Sequence, residues 1–215
     1  MAWRAQRVRV WPTVHQERRA LAADLERLTA DEWRTASLCP GWDVHDVLAH
    51  LVDTARTSRL SFVRDMAAAR GDFDLANARG IAREKRPDAR DTLAALREVA
   101  DLTRTPPAAA ATRLVEAIVH GEDIRRPLGM AGTYPPSAVA QALEHQLRTS
   151  VAFGGGRQRA QGLTLVDSLT GASWGQGDNV EGAAVDLLLA VSGRAVPASR
   201  LTGRGGERLL ARLAQ

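Results

Sequence analysis

The chain has 215 residues, 45% apolar and 25% charged, and its 29 basic and 25 acidic residues leave a formal net charge of +4. That balance fits one or two globular domains and excludes a disordered, collagen-like or coiled-coil chain. The sequence pI near 10.4 reflects arginine rather than a nucleic-acid surface: Lys85 is the sole lysine, and no basic stripe interleaved with aromatics is present, so no nucleic-acid partner is expected. In chain order, residues 1–11 hold Arg4, Arg7 and Arg9 without the apolar stretch of a leader, which predicts a cytoplasmic protein. Apolar spacing through Val14, Leu21, Leu25 and Leu28 predicts a helix over 13–28. Pro40-Gly41 then breaks the chain, and Asp43 is placed to cap a second helix over 43–69, striped by Val44, Leu48, Leu51, Ala55 and Phe62.

Residues 71–87 read as a polar crossover with room for one short helix. A third helix opens at Asp88 or Asp91 and is carried by Leu93, Leu96, Val99 and Leu102 to Pro106-Pro107. A fourth is expected over 108–125, stopping before Pro127, and a fifth over 136–149, leading to Gly154-Gly155-Gly156. Residues 163–167 and 172–174 predict an antiparallel pair turned at Thr170-Gly171. Residues 180–191 predict a helix and 207–213 a short terminal one. Its apolar run Leu187-Leu188-Leu189-Ala190-Val191 is far too short for a membrane span of about 20 residues. The expected fold is mainly α, a helical bundle over 1–150 followed by a small α/β domain over 151–215.

Glu116 and His120 lie four apart on the fourth helix, one turn from each other on the same face. Their neighbours Leu114, Val115, Ala117, Ile118 and Val119 are apolar enough to bury that face, and a buried carboxylate is costly unless paired or bound to a cation. His50, mid-helix in Val47-Leu48-Ala49-His50-Leu51-Val52, completes a set of two imidazoles and one carboxylate from two helices. Bundle interiors assemble metal sites from facing helices in this way. Three protein ligands leave a position open, the pattern of a catalytic zinc site, although the same ligand types also serve non-haem iron. Taken singly, each pair also reads as an ordinary hydrogen-bonded Glu–His contact or a core histidine.

His45 is expected on another face of its helix, and His15 and His145 on solvated surface. Asp123 is placed to orient a liganding imidazole, and Arg125 or Arg126 to receive a carboxylate. Cys39, the single cysteine, excludes an internal disulfide and a paired-cysteine zinc finger. Seven helical residues from Asp43 to His50 span about 10 Å, so Cys39 is expected to be a packing residue and neither ligand nor nucleophile unless the loop folds back. Trp42 is expected to cover the mouth of the bundle.

Cys39-Pro40-Gly41-Trp42-Asp43-Val44, followed by Asp46-Val47-Leu48-Ala49-His50-Leu51, resembles the first motif of the mycothiol-dependent maleylpyruvate isomerase family of the DinB-like superfamily. Glu116 and His120-Gly121-Glu122-Asp123-Ile124-Arg125-Arg126-Pro127-Leu128-Gly129 resemble its second metal motif. Trp174-Gly175, Gly177, Val180-Glu181-Gly182, Leu187-Leu188-Leu189 and Gly193-Arg194 are similar to its small C-terminal domain. The resemblance implies a DinB-like four-helix bundle holding a divalent metal, zinc expected, on His50, Glu116 and His120. It further implies mycothiol as thiol cosubstrate, a thiol of actinobacteria that suits the Ala/Arg-rich, Lys-poor composition. The activity so implied is attack of a metal-held thiolate on a small electrophilic, acidic substrate, giving isomerisation or thiol transfer. Arg125 is the expected contact for the bound acid or thiol, and a monomer or homodimer is expected. A metal-dependent hydrolase that activates water, and a non-catalytic metal-binding protein, are the alternatives.

Overall fold

The computed structural model describes residues 2–213, with side chains from Val10 onward. The chain divides into two compact units after Thr133. The first is a four-helix bundle of α1 (Ala2–Asp24), α2 (Val44–Arg56), α5 (Ala89–Glu98) and α6 (Thr112–Arg125). Both α1 and α2 pack against α5 and against α6, which closes the ring of four. Leu21 of α1 and Leu25 just beyond it, Leu48, Leu51 and Val52 of α2, Leu93 and Leu96 of α5, and Ile124 of α6 share one buried core. These are the positions that helical spacing turns inward.

The first helix begins at Ala2 and runs through Pro12, well before the expected start at residue 13. The expected second helix is two. Asp43 opens α2 with a capping box, accepting from the Asp46 backbone N–H while the Asp46 side chain accepts from its own. The helix ends at Arg56, Thr57 turns extended, and Ser58 caps α3 (Arg59–Ala68) through a second box with Ser61. Two serines three apart therefore offer the backbone a fresh start where apolar periodicity alone reads straight on.

The polar crossover is largely a helix, α4 (Phe73–Glu84), capped by Asp72. It lies along α2, held by ion pairs Arg83–Asp53, Arg56–Glu84 and Lys85 with Asp43 and Asp46. A Cβ at Gly80 would run into the Asp53 carboxylate, which would have to shift to make room, so glycine suits the close approach of the two helices.

In the second unit α7 (Pro136–Arg148) packs on α8 (Ala184–Val191), with Gln146 Nε2 donating to Ser192 Oγ at 2.8 Å. A boundary at residue 150 assigns that helix to the bundle; in the structure it belongs to the C-terminal unit, because its buried face meets α8. The sheet has the order β2–β1–β3, from β1 (Leu163–Asp167), β2 (Ser173–Gly175) and β3 (Asp178–Gly182). β1 pairs antiparallel with β2, as expected, and parallel with β3. The helix expected from residue 180 starts at Ala184, because Val180 is instead the inward residue of β3, set against Leu165. Asp167 at the end of β1 accepts from the Ala184 backbone N–H at 3.0 Å, fixing where α8 begins. A short α9 (Gly206–Ala211) follows. Among the described residues, no helix is long and apolar enough to cross a membrane.

Candidate metal centre

His50 projects from the middle of α2, and Glu116 and His120 from one face of α6, which α2 packs against. Glu116 Oε2 lies 3.5 Å from His50 Nε2 and 3.5 Å from His120 Nε2. The imidazoles stand edge to face with ring centroids 4.8 Å apart, so each aims a nitrogen at the same carboxylate oxygen. That oxygen is buried and has no hydrogen-bond partner. The three donor atoms all lie within 4.8 Å of one another. Two nitrogens and one orphaned carboxylate oxygen converging in this way fit a divalent cation of borderline hardness.

The far side of each imidazole differs. His120 Nδ1 is 2.9 Å from Oδ2 of Asp123, a residue with no solvent exposure. Asp123 thus stands where the sequence puts an orienting carboxylate, and it directs His120 Nε2 toward Glu116. His50 Nδ1 is buried without a hydrogen-bond partner. Burial lowers the His50 pKa, against the pull of Glu116. Burial also opposes charge on His120, but Asp123, Cys39 and Glu116 outweigh it and push its pKa up to about 10. Desolvation would raise the Glu116 carboxyl; His50, His120 and the Arg113 guanidinium overcome it and hold the group well below the usual carboxylate range. The charge pattern is therefore an anionic carboxylate facing one neutral and one protonated imidazole, and a divalent ion binding there would displace that proton.

The loop before α2 does fold back. Pro40 and Gly41, at φ +81°, occupy a turn closed from the Trp42 N–H to the Cys39 carbonyl, a backbone conformation that favours glycine. Leu38 N–H donates to the Asp123 carbonyl, tying the loop to α6. Cys39 Sγ consequently sits 3.0 Å from Asp123 Oδ2 and 3.7 Å from His120 Nδ1. It reaches the site from behind His120 rather than from the His50 side, a placement that distance along α2 could not reveal. Cys39, His120 and Asp123 form a second set of donors in reach of one another, though its imidazole nitrogen already faces Asp123. Trp42 covers both rings, with centroids 5.1 Å from His50 and 6.5 Å from His120.

Arg125 is 1% exposed and turned to α1, where it pairs with Glu17 and, through Nε, with Asp24 at 2.8 Å. Arg126 Nε pairs with Glu122 at 2.7 Å. His45 is buried and bonded to Thr92 Oγ1 at 2.8 Å. His15 and His145 are half-buried rather than fully solvated. Two arginines line the cleft beside Glu116, Arg18 of α1 and Arg113, one turn earlier on α6. The spacing Arg113-x-x-Glu116 places both on one face and was the available signal, but an isolated arginine ordinarily reads as a solvated position.

Residues 14–110 match the family described as the mycothiol maleylpyruvate isomerase N-terminal domain. The match includes His50 and ends before Glu116. Two crystal structures share the fold: the mycothiol-dependent maleylpyruvate isomerase and a variant of it with one histidine replaced by alanine. Each has a TM-score of 0.63 and 15% sequence identity, over 92% of this chain and 92% of the other. No curated protein matches the chain.

Proposed function

We propose, from the match of residues 14–110 to the family described as the mycothiol maleylpyruvate isomerase N-terminal domain, a metal-dependent enzyme that uses a low-molecular-weight thiol, mycothiol, on a small electrophilic substrate. His50, Glu116 and His120 hold one divalent ion, zinc being the expected one. The observation that carries this reading is the buried Glu116 oxygen, without a hydrogen bond and 3.5 Å from each of two imidazole nitrogens. When bound, such an ion supplies a coordination position at which a thiol is held as its thiolate at neutral pH.

The chain's own residues prepare that position. Asp123 accepts from His120 Nδ1–H, which fixes the tautomer and leaves Nε2 free to ligate. Cys39 donates its S–H to the same carboxylate and so holds Asp123 in place. Trp42 lies over both imidazoles and limits water at that side. Structural likeness to a mycothiol-dependent isomerase supports the choice of thiol and of an isomerisation or thiol transfer over a hydrolysis.

The test is a titration of cobalt-loaded protein with mycothiol. A sulfur-to-metal charge-transfer band is expected, together with near one metal ion per chain. His50→Ala and His120→Ala should each lose most of the metal, since two remaining ligands make a poor site. Full metal retention in both variants, or a cobalt spectrum unmoved by millimolar thiol, overturns the reading.

A further inference from the structure

We propose that Arg113 tunes the metal centre electrostatically: its buried guanidinium weakens the hold of the site on a divalent cation and strengthens the binding of an anion to that cation. This rests on the metal-centre reading above and adds to it a residue that ligates nothing.

Arg113 is 3% exposed, and its Nε and Nη1 are buried without a hydrogen-bond partner. Among the described residues no ion pair reaches it. It stands three residues before Glu116 on the same face of α6, and both line one cleft. The cleft has room for about one water molecule, so dissolved ions do little to screen the guanidinium from its neighbours. The other charges nearby do not cancel it. Glu17 is held by Arg125, and Asp53 by Arg83. Arg18 adds a second cation to the cleft, its Nη1 donating to the carbonyls of Val99, Ala100 and Leu102.

A cation beside a ligand carboxylate affects metal binding in two opposite ways. It favours the ionised carboxylate, which helps, and it repels the incoming ion, which hinders. At pH 7 the first effect has no consequence. The hydrogen bond from His50 and the charge of His120 act on Glu116 more strongly than Arg113 does, and they hold the carboxyl well below its ordinary range. Glu116 therefore stays ionised when the guanidinium is gone, and only the repulsion is lost. A unit charge roughly 8 Å from a divalent ion, at an effective dielectric of about 40, changes binding about tenfold or more. Arginine stays protonated across the physiological range, so this repulsion is always present. With a metal in place the same charge acts in reverse, because an anion at the open position is attracted by the guanidinium as well.

Competition titrations of metal-free protein at pH 7 against a coloured chelator give the zinc and cobalt affinities. Arg113→Gln and Arg113→Met should each bind both metals about tenfold or more tightly than the wild type, whereas Arg113→Lys, which keeps the charge, should stay close to it. A residue that merely supported the fold would give the opposite sign, looser metal in the neutral variants. The second readout is azide added to cobalt-loaded protein and followed by its visible spectrum. Azide should bind several-fold more weakly in both neutral variants and as in the wild type in Arg113→Lys. Unchanged or looser metal binding in the neutral variants, equal tightening in Arg113→Lys, or an azide affinity indifferent to Arg113 overturns the proposal. Failure of both neutral variants to fold would make the guanidinium a structural requirement, with the same consequence. A wild type that binds no metal overturns the metal-centre reading and this inference with it. A wild type that holds its metal beside an untightened Arg113→Gln overturns this inference alone.

Discussion

His120 uses its two ring nitrogens for different tasks, Nε2 toward Glu116 and Nδ1 toward Asp123. Asp123 has no solvent exposure, so its loss takes the acceptor from the His120 Nδ1–H and the Cys39 S–H. Asp123→Ala should therefore lower metal affinity about 10- to 100-fold, the usual cost of losing an orienting partner, with the helical circular dichroism retained. A competition titration against a coloured chelator measures it. Cys39→Ser should keep its metal, because a hydroxyl can donate to the same carboxylate at the same place. A Cys39→Ser protein purified without metal would contradict this and make the thiol a ligand in its own right.

At the scale of elements, the junction between α2 and α3 depends on local hydrogen bonding. Ser58 accepts from the Ser61 backbone N–H, and Ser61 Oγ accepts from that of Ser58. Ser58→Ala should cost about 1 kcal/mol of stability by removing the cap, read from denaturant unfolding. The contact between α2 and α4 is set by charge and by Gly80. Lys85 Nζ lies 2.8 Å from Asp46 and 3.2 Å from Asp43, bridging the end of one helix to the start of the other. Burial would raise the Asp46 pKa; the bonds from Lys85 and from the Asp43 backbone N–H overcome it and lower the group from its ordinary value of 3.8. A depressed carboxyl favours the folded state when ionised. Its contribution is present above 3.8 and disappears as pH falls through the lowered value. Lys85→Met should lower Tm by about 1–2 °C at pH 7, the scale of a partly exposed pair in a chain of this length. Melts at decreasing pH should show the gap closing below 3.8.

For the molecule as a whole, the proposed ligands tie α2 to α6, two neighbouring helices of the bundle. An ion that binds only the folded chain stabilises it by mass action, about 4 kcal/mol when free metal is a thousandfold above its Kd. Thermal melts in zinc should therefore lie several degrees above melts in EDTA. In His50→Ala the two curves should coincide at the same metal concentration. A zinc effect of equal size in that variant would assign the stabilisation to metal bound elsewhere.

The sequence by itself determined the four bundle helices, the antiparallel β pair and the spacing of Glu116 and His120, because each follows from contacts within a few turns or one hairpin. Apolar periodicity, Asp43 as a cap and Pro40-Gly41 as a break are local signals. Tertiary structure alone decided what depends on distant partners. Residues 73–84 form a helix whose polar face meets the charges of α2, so a tract that looks like loop has its partners there. β3 has one deeply inward side chain, Val180, and exists through parallel pairing with β1, which no hairpin signal announces. Cys39 reaches His120 because its loop is fastened to α6 through Leu38. Arg125 and Arg113 look alike in sequence, yet one is paired with α1 carboxylates and the other keeps Nε and Nη1 buried without a hydrogen bond and acts on Glu116 only through space. Packing alone decides which of two like charges forms ion pairs, because that depends on side chains brought together from helices far apart in sequence.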